Sequence, residues 1–468
     1  MVLSVKPNVN ADERARSAQA LRNLIDWAVA ASTQPLPDAI RYRAALVLMD
    51  DLGAAVAAST EPEVAAAREI EMRSSGEMEA TVFATGAPRL NRIGAAVANG
   101  MAATWCELDE GYRLAPCHAG ACIWPALIAE AEASGATTAE TLRALAIAYD
   151  VTARFAEAFP FAQMNVHPHA AYANIGATAG IGILRKLTAG QLLGAITGAA
   201  SMTFAGPYGH AIDGALIRNA WTAANGWIAF RSVDWALAGI AGIPETGYDV
   251  FSVCFGTACL PDKLDGDLGT RWAIENGYHK IFACCQYAHS MIEASLAMHA
   301  RLGPEARHEI AAVEVETHPR GLTLTGVEPS TTLAAKFSMP HAAAAVARLA
   351  SGGQAAFSSA ARIDPDIAAL RHKVTLKPLE KLEPWPNDRA ARVTWVMKNG
   401  ERHSGSCLNA RGGADLPFDE ATLIAKLTEN AGSVLPGMVA PLVALLKPSD
   451  RDQRPWRDCV PRMKGDAA

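Results

Sequence analysis

Residues 107–120 read ELDEGYRLAPCHAG and place three acids, a tyrosine, an arginine and a histidine between two apolar stretches. The stretch before it, 93–106 (IGAAVANGMAATWC), and the stretch after it, 121–133 (ACIWPALIAEAEA), have the composition of buried helices. A charged segment between two buried helices is typical of the mouth of a cleft. Asp109 and His118 supply a carboxylate and an imidazole there, the usual pair for moving protons near neutral pH. We therefore expect a proton-transfer site in this segment.

Helical patterning extends outward from this segment over most of the chain. From residue 11 to about 267 the sequence is rich in Ala, Leu, Ile and Gly, with apolar residues at helical spacing. Residues 39–59 predict one long helix, and Thr137 three positions before Glu140 predicts a capped helix start. The helical pattern returns after Pro417, over 419–430 and 440–446.

An α+β pattern interrupts the helical one from about residue 309. Its strand-like stretches, in which apolar and polar residues alternate, are 309–319, 372–380 and 391–407. Asn399-Gly400 in the last stretch predicts a hairpin turn. Residues 341–353 (HAAAAVARLASGG) predict a helix that is ended by glycine.

The predicted fold is therefore mainly α. It has a large all-helical domain, formed by 1–275 plus 412–468, and a smaller inserted α+β lid domain, 276–411. A cleft between two such units is a favoured place for a small-molecule site.

Composition excludes nucleic-acid binding and argues against a membrane span. The 468 residues are 50% hydrophobic and 19% charged with a net charge of −6, so sizeable cores can form but no basic surface for nucleic acid is expected. Residues 187–212 carry no Asp, Glu, Lys or Arg. Their Gln191, Pro207 and His210 and many small residues favour a buried helix followed by a loop.

The N-terminus and the cysteines predict the compartment. The first residues, MVLSVKPNVNADERARS, lack the apolar core of a signal peptide. Nine cysteines without regular spacing indicate reduced thiols. We therefore expect a cytoplasmic protein without a membrane or nucleic-acid partner.

Four segments together resemble a known family, the MmgE/PrpD family, from about residue 15 to 460. They are 46–59 (LVLMDDLGAAVAAS), Asn99-Gly100 followed by the acidic segment and His118, 166–180 (VHPHAAYANIGATAG), and 280–294 (KIFACCQYAHSMIEA). The last segment is the most specific, because it combines a lysine, a cysteine pair and a histidine nine positions after the lysine.

The resemblance implies both a fold and a chemistry. The family includes 2-methylcitrate dehydratase, cis-aconitate decarboxylase and iminodisuccinate epimerase, which act without a cofactor at carbons next to carboxylates of small di- and tricarboxylic acids. Its fold is a large helical domain with a smaller α+β lid, usually as a homodimer. For this chain the resemblance implies a small carboxylic acid as the partner, no cofactor, and a homodimer.

Four residues are similar to the family's catalytic groups: Asp109, His118, His167 and Lys280. Asp109, or Glu110 beside it, would orient the imidazole of His118, with a helix-capping acid as the structural alternative. His118 and His167 would move the substrate proton, unless His118 is only a structural histidine. Lys280, at the junction with the lid, would hold a substrate carboxylate as a point charge, unless it is a solvated surface residue.

Further residues are candidates for substrate contact. They are Tyr112, Arg113, His169, Arg218, Cys285 and His341. Arg218 lies near the position, here Ala215, where many members carry a lysine, and it either clamps a carboxylate or lies on the surface. His341 either faces the cleft from the lid or only begins a helix after Pro340.

No metal ion or cofactor is expected. His167 and His169 could both approach a metal ion, but no third ligand motif lies nearby. Cys284-Cys285 lacks the additional cysteines that an iron–sulfur cluster requires.

Proton transfer next to a carboxylate has three outcomes. Loss of a β-hydroxyl makes a hydro-lyase, return of the proton on the other face makes an epimerase, and loss of carbon dioxide makes a decarboxylase. We expect a dehydratase of the 2-methylcitrate type first, then an epimerase of the iminodisuccinate type, then a decarboxylase of the cis-aconitate type. A catalytically inactive binding protein with the same fold is the remaining alternative.

Overall fold

Helices dominate the fold. The computed structural model describes residues 9–74 and 76–464, and 58% of it is helical while 8% is strand. This composition confirms the predicted mainly α class.

The helical part comes first along the chain. Its helices are α1 (Ala11–Ala31), α2 (Asp38–Ala58), α3 (Pro62–Arg73), α4 (Arg92–Ala103), α5 (Ala119–Ser134), α6 (Thr138–Ala158), α7 (Pro168–Ala171), α8 (Ala173–Leu184), α9 (Ala189–Ser201), α10 (Gly209–Ile212), α11 (Ala220–Leu237) and α12 (Asp262–Asp265). Two short strands belong to this part, β1 (Gly111–Tyr112) and β2 (Gly277–Tyr278). A π-helical segment covers Tyr248–Cys254.

The α+β part and a last set of helices follow. The α+β part contains α13 (His289–Leu302), α14 (Ala306–Glu309), β3 (Ile310–Thr317), α15 (Thr332–Lys336), α16 (Met339–Leu349), α17 (Ser359–Ile363), α18 (Pro365–Arg371), β4 (Val374–Pro378), β5 (Ala391–Met397) and β6 (Arg402–Cys407). The chain then forms α19 (Glu420–Ala431), α20 (Val439–Ala444) and α21 (Val460–Lys464). Short 3₁₀ turns are Leu216–Asn219, Ala273–Asn276, Gln286–Ala288, Gly321–Thr323, Gln354–Phe357, Pro436–Met438, Asp450–Gln453 and Trp456–Asp458.

Helix α2 runs through the centre of the helical part. It matches the predicted helix 39–59 to within one residue at each end. Its residues 44–56 are all buried, and it packs against α4, α5, α6 and α19. A helix whose surface is apolar on all sides packs against neighbours on all sides. The apolar residues before and after Asp50 therefore place α2 in the interior.

Small residues let the surrounding helices approach closely. At Gly100 a Cβ would lie 2.8 Å from the Cα of Ala223, so α4 and α11 touch through their backbones. At Gly176 a Cβ would lie 1.9 Å from Oγ1 of Thr152, which brings α8 against α6. Glycine fits these positions because it has no Cβ. The predicted capping box at Thr137 is also present at the start of α6.

The α+β part contains a four-stranded sheet in the order β4-β3-β5-β6. Strand β4 is parallel to β3, while β5 is antiparallel to both β3 and β6. The three predicted strand-like stretches are confirmed, and Asn399-Gly400 joins β5 to β6 with Gly400 at a φ of 89°, where glycine is favoured. Helix α16 confirms the predicted helix 341–353 and packs with α13 on the sheet.

Helix α19 returns from the sheet to the helical part. A Cβ at Gly53 of α2 would lie 2.9 Å from Cδ1 of Leu427, so the two helices are in close contact. Lys426 of α19 pairs with the buried Asp50 of α2 at 2.5 Å. Residues after the sheet thus complete the interior around α2, and the domain limits at 276 and 411 stay a prediction.

The uncharged stretch 187–212 folds as α9 followed by a loop and α10, as the sequence predicts. Over the described ranges, no helix combines the length and the apolar composition that crossing a bilayer requires. No disulfide joins any of the nine cysteines, all of which lie within the described residues. The cytoplasmic location stays a prediction.

Candidate active site

Two short strands bring the charged segment 107–120 to the lysine motif, residues 280–294. Strand β1 pairs with β2 in antiparallel fashion, with Gly111 opposite Tyr278. A Cβ at Gly111 would lie 2.6 Å from the ring of Tyr278, so a larger residue would push the strands apart. Because Lys280 follows β2 by two residues, the pairing carries its side chain to the acids of the charged segment.

A buried ion pair network fixes the backbone next to Lys280. Nδ1 of His279 lies 2.8 Å from Oδ2 of Asp50, and Nζ of Lys426 lies 2.5 Å from the other oxygen. Burial alone would raise the pKa of Asp50, but Lys426 and His279 outweigh it and hold that pKa below its ordinary value. The carboxylate therefore stays charged and ties α2 and α19 to the residue before Lys280.

Asp109 bridges a lysine and a histidine inside the protein. Its Oδ1 lies 3.2 Å from Nζ of Lys280, and its Oδ2 lies 2.7 Å from Nδ1 of His118. Asp109 is fully buried, which by itself raises its pKa, but Lys280 and His118 reverse this and hold the pKa well below its ordinary value. Asp109 caps no helix, so the capping alternative is wrong, and Lys280 is buried rather than solvated.

The side chain of Glu110 bonds to groups other than the imidazole of His118. Its carboxylate accepts hydrogen bonds from the backbone N–H of Gly120 at 2.6 Å and from the hydroxyl of Tyr149 at 2.9 Å. The structure therefore places the side chain of Asp109, not that of Glu110, beside the imidazole of His118.

The contacts of His118 define its tautomer. Its Nδ1 forms a hydrogen bond with the carbonyl oxygen of Glu110 at 2.7 Å and lies at the same distance from the carboxylate of Asp109. Both oxygens are acceptors, so Nδ1 must carry a hydrogen. In the neutral ring Nε2 then holds a free lone pair, and since His118 lines a pocket, this nitrogen can act as a general base.

In His167 the ring nitrogen that carries the hydrogen is the other one, Nε2 instead of Nδ1. Its Nδ1 accepts a hydrogen bond from the backbone N–H of His169 at 3.1 Å and caps α7, so its Nε2 carries the hydrogen. The ring stacks on Tyr208 with 5.5 Å between centroids. Burial, reinforced by the positive charge of Arg218, lowers the pKa of His167 well below its ordinary value. His167 is therefore a neutral hydrogen-bond donor that lines the same pocket as His118.

These groups line one pocket, which together with the open solvent at its mouth encloses about 510 Å³. Its lining residues are Glu107, Tyr112, Pro116, Cys117, His118, Met164, His167, Pro168, Tyr208, Arg218, Tyr278, Lys280, Cys285, Gln286, Tyr287, Phe337 and Arg389. The pocket thus lies where the helical part, the lysine motif and the α+β part meet. Asp109 does not line it but contacts two residues that do, His118 and Lys280.

Three of the predicted substrate contacts line this pocket. Arg218 is buried and pairs with Glu107 at 2.6 Å, so the alternative of a surface arginine is wrong. Burial raises the pKa of Cys285 to about 11, which keeps its thiol neutral. Tyr112 donates its hydroxyl hydrogen to Glu157 at 2.5 Å.

Two other predicted contacts lie outside the pocket. Arg113 pairs with Asp388 at 2.8 Å and bonds to Asn409 at 2.9 Å, so it fastens the charged segment to the α+β part. His341 sits in the first turn of α16, where Nε2 bonds to the carbonyl of Ala356 at 2.9 Å. The helix-start alternative therefore describes His341, because its ring is held inside the α+β part.

His169 lies behind the pocket rather than on its wall. Its ring contacts those of His118 and His167 at centroid distances of 4.7 and 4.5 Å, and neither ring nitrogen has a hydrogen-bond partner among the described residues. Ligand atoms of Asp109, His118 and His169 all lie within 4.8 Å of one another. A dication there would have to compete with the ammonium of Lys280, which already contacts Asp109, so the charge balance disfavours a metal ion.

Sequence reasoning did not assign several pocket residues. They are Glu107, Tyr208, Tyr278, Gln286, Tyr287 and Arg389. Glu107 belongs to the charged segment, but its spacing did not distinguish it from the two acids that follow. Tyr278 could have been found from its place two residues before Lys280. Arg389 lies far from every motif, and no local pattern marks it.

Two family models match the sequence. The model of the MmgE/PrpD N-terminal domain matches residues 22–251, and that of the MmgE/PrpD C-terminal domain matches residues 282–440. A search of curated proteins finds no match. Since the two domain models follow each other in order and span most of the sequence, the chain belongs to the MmgE/PrpD family.

Proposed function

We propose that the chain is a cofactor-independent enzyme that moves a proton at the carbon next to a carboxylate of a small di- or tricarboxylic acid, and that the outcome is dehydration. The observation that carries this proposal is the buried carboxylate of Asp109 between Lys280 and His118 at the wall of a pocket. Family membership supports an enzyme that processes carboxylic acids.

Substrate binding is assigned to the cations of the pocket. Arg218, Lys280 and Arg389 all line it and are at least nine-tenths buried. Charged hydrogen bonds are stronger in such a place than in water. A carboxylate that enters the pocket therefore gains a contact that it cannot obtain from the exposed surface.

Proton removal is assigned to Nε2 of His118. The carboxylate of Asp109 holds the ring in the tautomer with its lone pair toward the pocket, and it stabilises the imidazolium that forms. Negative charge develops on the substrate carboxylate as the C–H bond breaks. Lys280 and the Nε2–H of His167 are the groups that offset this charge.

Dehydration follows when a hydroxyl lies on the neighbouring carbon. The electrons of the broken C–H bond form the carbon–carbon double bond, the C–OH bond breaks, and the imidazolium of His118 returns its proton to the leaving hydroxyl, which departs as water. Burial raises the pKa of Tyr278 above its ordinary range, so its phenol stays neutral and can donate a hydrogen bond to this hydroxyl.

Convergence of the groups favours an enzyme over a binding protein. A binding protein would need the cations but not a histidine with a free lone pair in the same pocket as a histidine that donates. Both imidazoles and Lys280 line the same pocket, as proton transfer requires.

The test is incubation of the purified chain with β-hydroxy di- and tricarboxylic acids. Ultraviolet absorbance of the new double bond reports dehydration, and the same reactions in deuterated water report exchange at the α-carbon. Dehydration that requires His118 supports the proposal. Exchange without a double bond would assign an epimerase instead, and release of carbon dioxide would assign a decarboxylase.

We also propose a homodimer, as the family implies. Exposed apolar side chains lie on α11 and the loop after it. The ring centroids of Trp227 and Trp235 are 6.2 Å apart. Leu237, Ile240 and Ile243 are exposed as well. Such a patch is typical of a subunit interface. Light scattering should give twice the chain mass, and W227K should give a monomer. A monomeric parent protein at micromolar concentration would contradict the proposal.

A further inference from the structure

A second, buried ion pair lies behind the contact between Asp109 and Lys280. We propose that Lys426 of α19 is a positioning residue: together with Asp50 of α2 it holds the backbone next to both members of the Asp109–Lys280 pair and so sets the geometry of their contact. This inference rests on the proposed function, to which it adds a residue that does not line the substrate pocket.

Lys426 bonds directly to the charged segment. Its Nζ donates a hydrogen bond to the carbonyl oxygen of Leu108 at 2.6 Å, across 318 positions of the chain. Both residues are buried, and a hydrogen bond is stronger there than in water. The carbonyl of Leu108 belongs to the peptide unit that ends at the nitrogen of Asp109, and a peptide unit is planar. The bond therefore fixes the plane from which the backbone of Asp109 starts.

Lys426 is linked to the residue before Lys280 through Asp50. The same Nζ lies 2.5 Å from Oδ1 of Asp50, and Oδ2 of Asp50 lies 2.8 Å from Nδ1 of His279. His279 directly precedes Lys280 and is buried as well. An ammonium has three N–H donors, so one nitrogen can serve the backbone carbonyl and the carboxylate together. One side chain thus joins the two residues that precede the members of the Asp109–Lys280 pair.

Helix α2 also holds the backbone on the other side of Asp109. The backbone N–H of Glu110 donates to Oδ1 of Asp51 at 2.8 Å. The peptide units before and after Asp109 are therefore both bonded, the first by Lys426 and the second by α2. A carboxylate whose backbone is held at both ends keeps one direction, as a precise site requires.

Stability alone does not account for an ion pair in this place. Asp50 and Lys426 belong to the buried faces of α2 and α19. Removing two charges from water costs free energy that their attraction only about offsets, and apolar residues of similar volume often serve as well. What the pair adds is direction, and the reaction needs direction, because misplacing a reacting group by about 1 Å can lower the rate about 100-fold.

The double variant D50N/K426M tests the positioning through the rate. It removes a carboxylate and an ammonium together, so it leaves no unpaired buried charge and does not change the net charge near Asp109. In the dehydration assay we expect kcat to fall at least ~10-fold. KM should change less than ~3-fold, because Arg218 and Arg389 still line the pocket.

A double-mutant cycle tests the positioning without any turnover. D109N removes the charge that contacts Lys280, and urea unfolding measures by what factor it raises the unfolding equilibrium constant. If Lys426 sets that contact, the contact is already loosened in D50N/K426M, and the factor for D109N should be at least ~5-fold smaller there than in the parent chain. Groups that do not act on each other would give the same factor in both.

Two further variants accompany these measurements. H279L keeps the pair of Asp50 and Lys426, breaks only the link toward Lys280, and takes the place of D50N/K426M if that variant does not fold. K336M is the matched control, because Lys336 is also buried and donates to a carbonyl of the neighbouring backbone, that of Trp105, at 2.6 Å. It should keep kcat within about 2-fold and leave the factor for D109N unchanged.

Three results would overturn the positioning. They are an unchanged kcat in D50N/K426M, an equal factor for D109N with and without the ion pair, and a loss of kcat in K336M as large as in D50N/K426M. A parent chain that dehydrates none of the acids would overturn the proposed function instead, and the unfolding cycle would then decide the positioning by itself.

Discussion

The ammonium of Lys280 lies 3.2 Å from Oδ1 of Asp109, although 171 positions separate the two residues along the chain. Both side chains are buried, so water offers neither of them an alternative partner. Burial would lower the pKa of Lys280, but Asp109 and Glu107 outweigh it and raise that pKa above its ordinary value. The contact therefore joins the charged segment to the lysine motif and keeps both groups ionised.

D109N should separate the structural role of this contact from its chemical role. The amide keeps the shape of the side chain but leaves the buried ammonium of Lys280 less compensated and His118 without its anionic partner. We expect turnover to fall at least ~100-fold and the free energy of unfolding to fall by about 3 kcal/mol or more. Steady-state rates and urea unfolding measure the two effects.

The double variant D109N/K280M provides the control for this experiment. It removes the ammonium together with the carboxylate, so part of the lost stability should return while turnover stays low. Recovery of turnover in the double variant would show that neither charge takes part in the reaction.

H118A should abolish turnover without unfolding the protein. The side chain lies at the pocket wall and is partly solvent-accessible, so its removal leaves a space that water can fill. We expect at least a ~100-fold loss of rate, and free imidazole in the assay should restore part of it. H372A, at an exposed histidine paired with Glu328, is the matched control. A normal rate in H118A would remove this residue from the mechanism.

Sequence patterns predicted those parts of the fold in which neighbours along the chain determine the structure. Helix α2, the capping box at Thr137 and the turn at Asn399-Gly400 all follow from local spacing. The pairing of β1 with β2 does not, because each strand is only two residues long and its partner is remote. No periodicity reveals such a pair.

The same distinction applies to the site. The resemblance led to Asp109, His118 and Lys280, and the structure brings them together. The resemblance could not show whether Arg113 and His341 face the cleft, because the direction of a side chain depends on the packing of distant elements. Arg389 was missed for the converse reason, since only the folded α+β part carries it to the pocket.

Glu110 should make the stability of the protein depend on pH. Burial raises its pKa to about 8, although hydrogen bonds from Tyr149 and Gly120 oppose the rise, while an unperturbed glutamate has a value of 4.5. As pH increases between these values, the unfolded chain loses a proton that the folded chain keeps. Folding is therefore favoured less and less until about pH 8, above which this contribution is constant.

E110Q tests this contribution, because glutamine is neutral at every pH. Its oxygen can accept the hydrogen bond from Gly120, and its amide NH₂ can donate to the hydroxyl oxygen of Tyr149 in place of the bond that the carboxylate accepts. Between about pH 5 and about pH 8 the free energy of unfolding should fall less steeply in E110Q than in the parent chain, by up to about 1.4 kcal/mol per pH unit. Urea unfolding at several pH values measures the slopes, with E63Q as the exposed control. Parallel slopes in all three proteins would mean that Glu110 ionises normally in the folded state.

Removal of metal ions should leave the reaction unchanged. Asp109, His118 and His169 are close enough to share an ion, but Lys280 already neutralises Asp109, and Nδ1 of His118 carries a hydrogen between two oxygens. A divalent ion would have to displace that ammonium or bind beside it, and like charges at such short range repel strongly. Protein dialysed against a chelator, with its metal content measured, should therefore keep its full rate. A rate that is lost on dialysis and restored by zinc would instead assign His169 as a ligand, and H169A would then abolish the restoration.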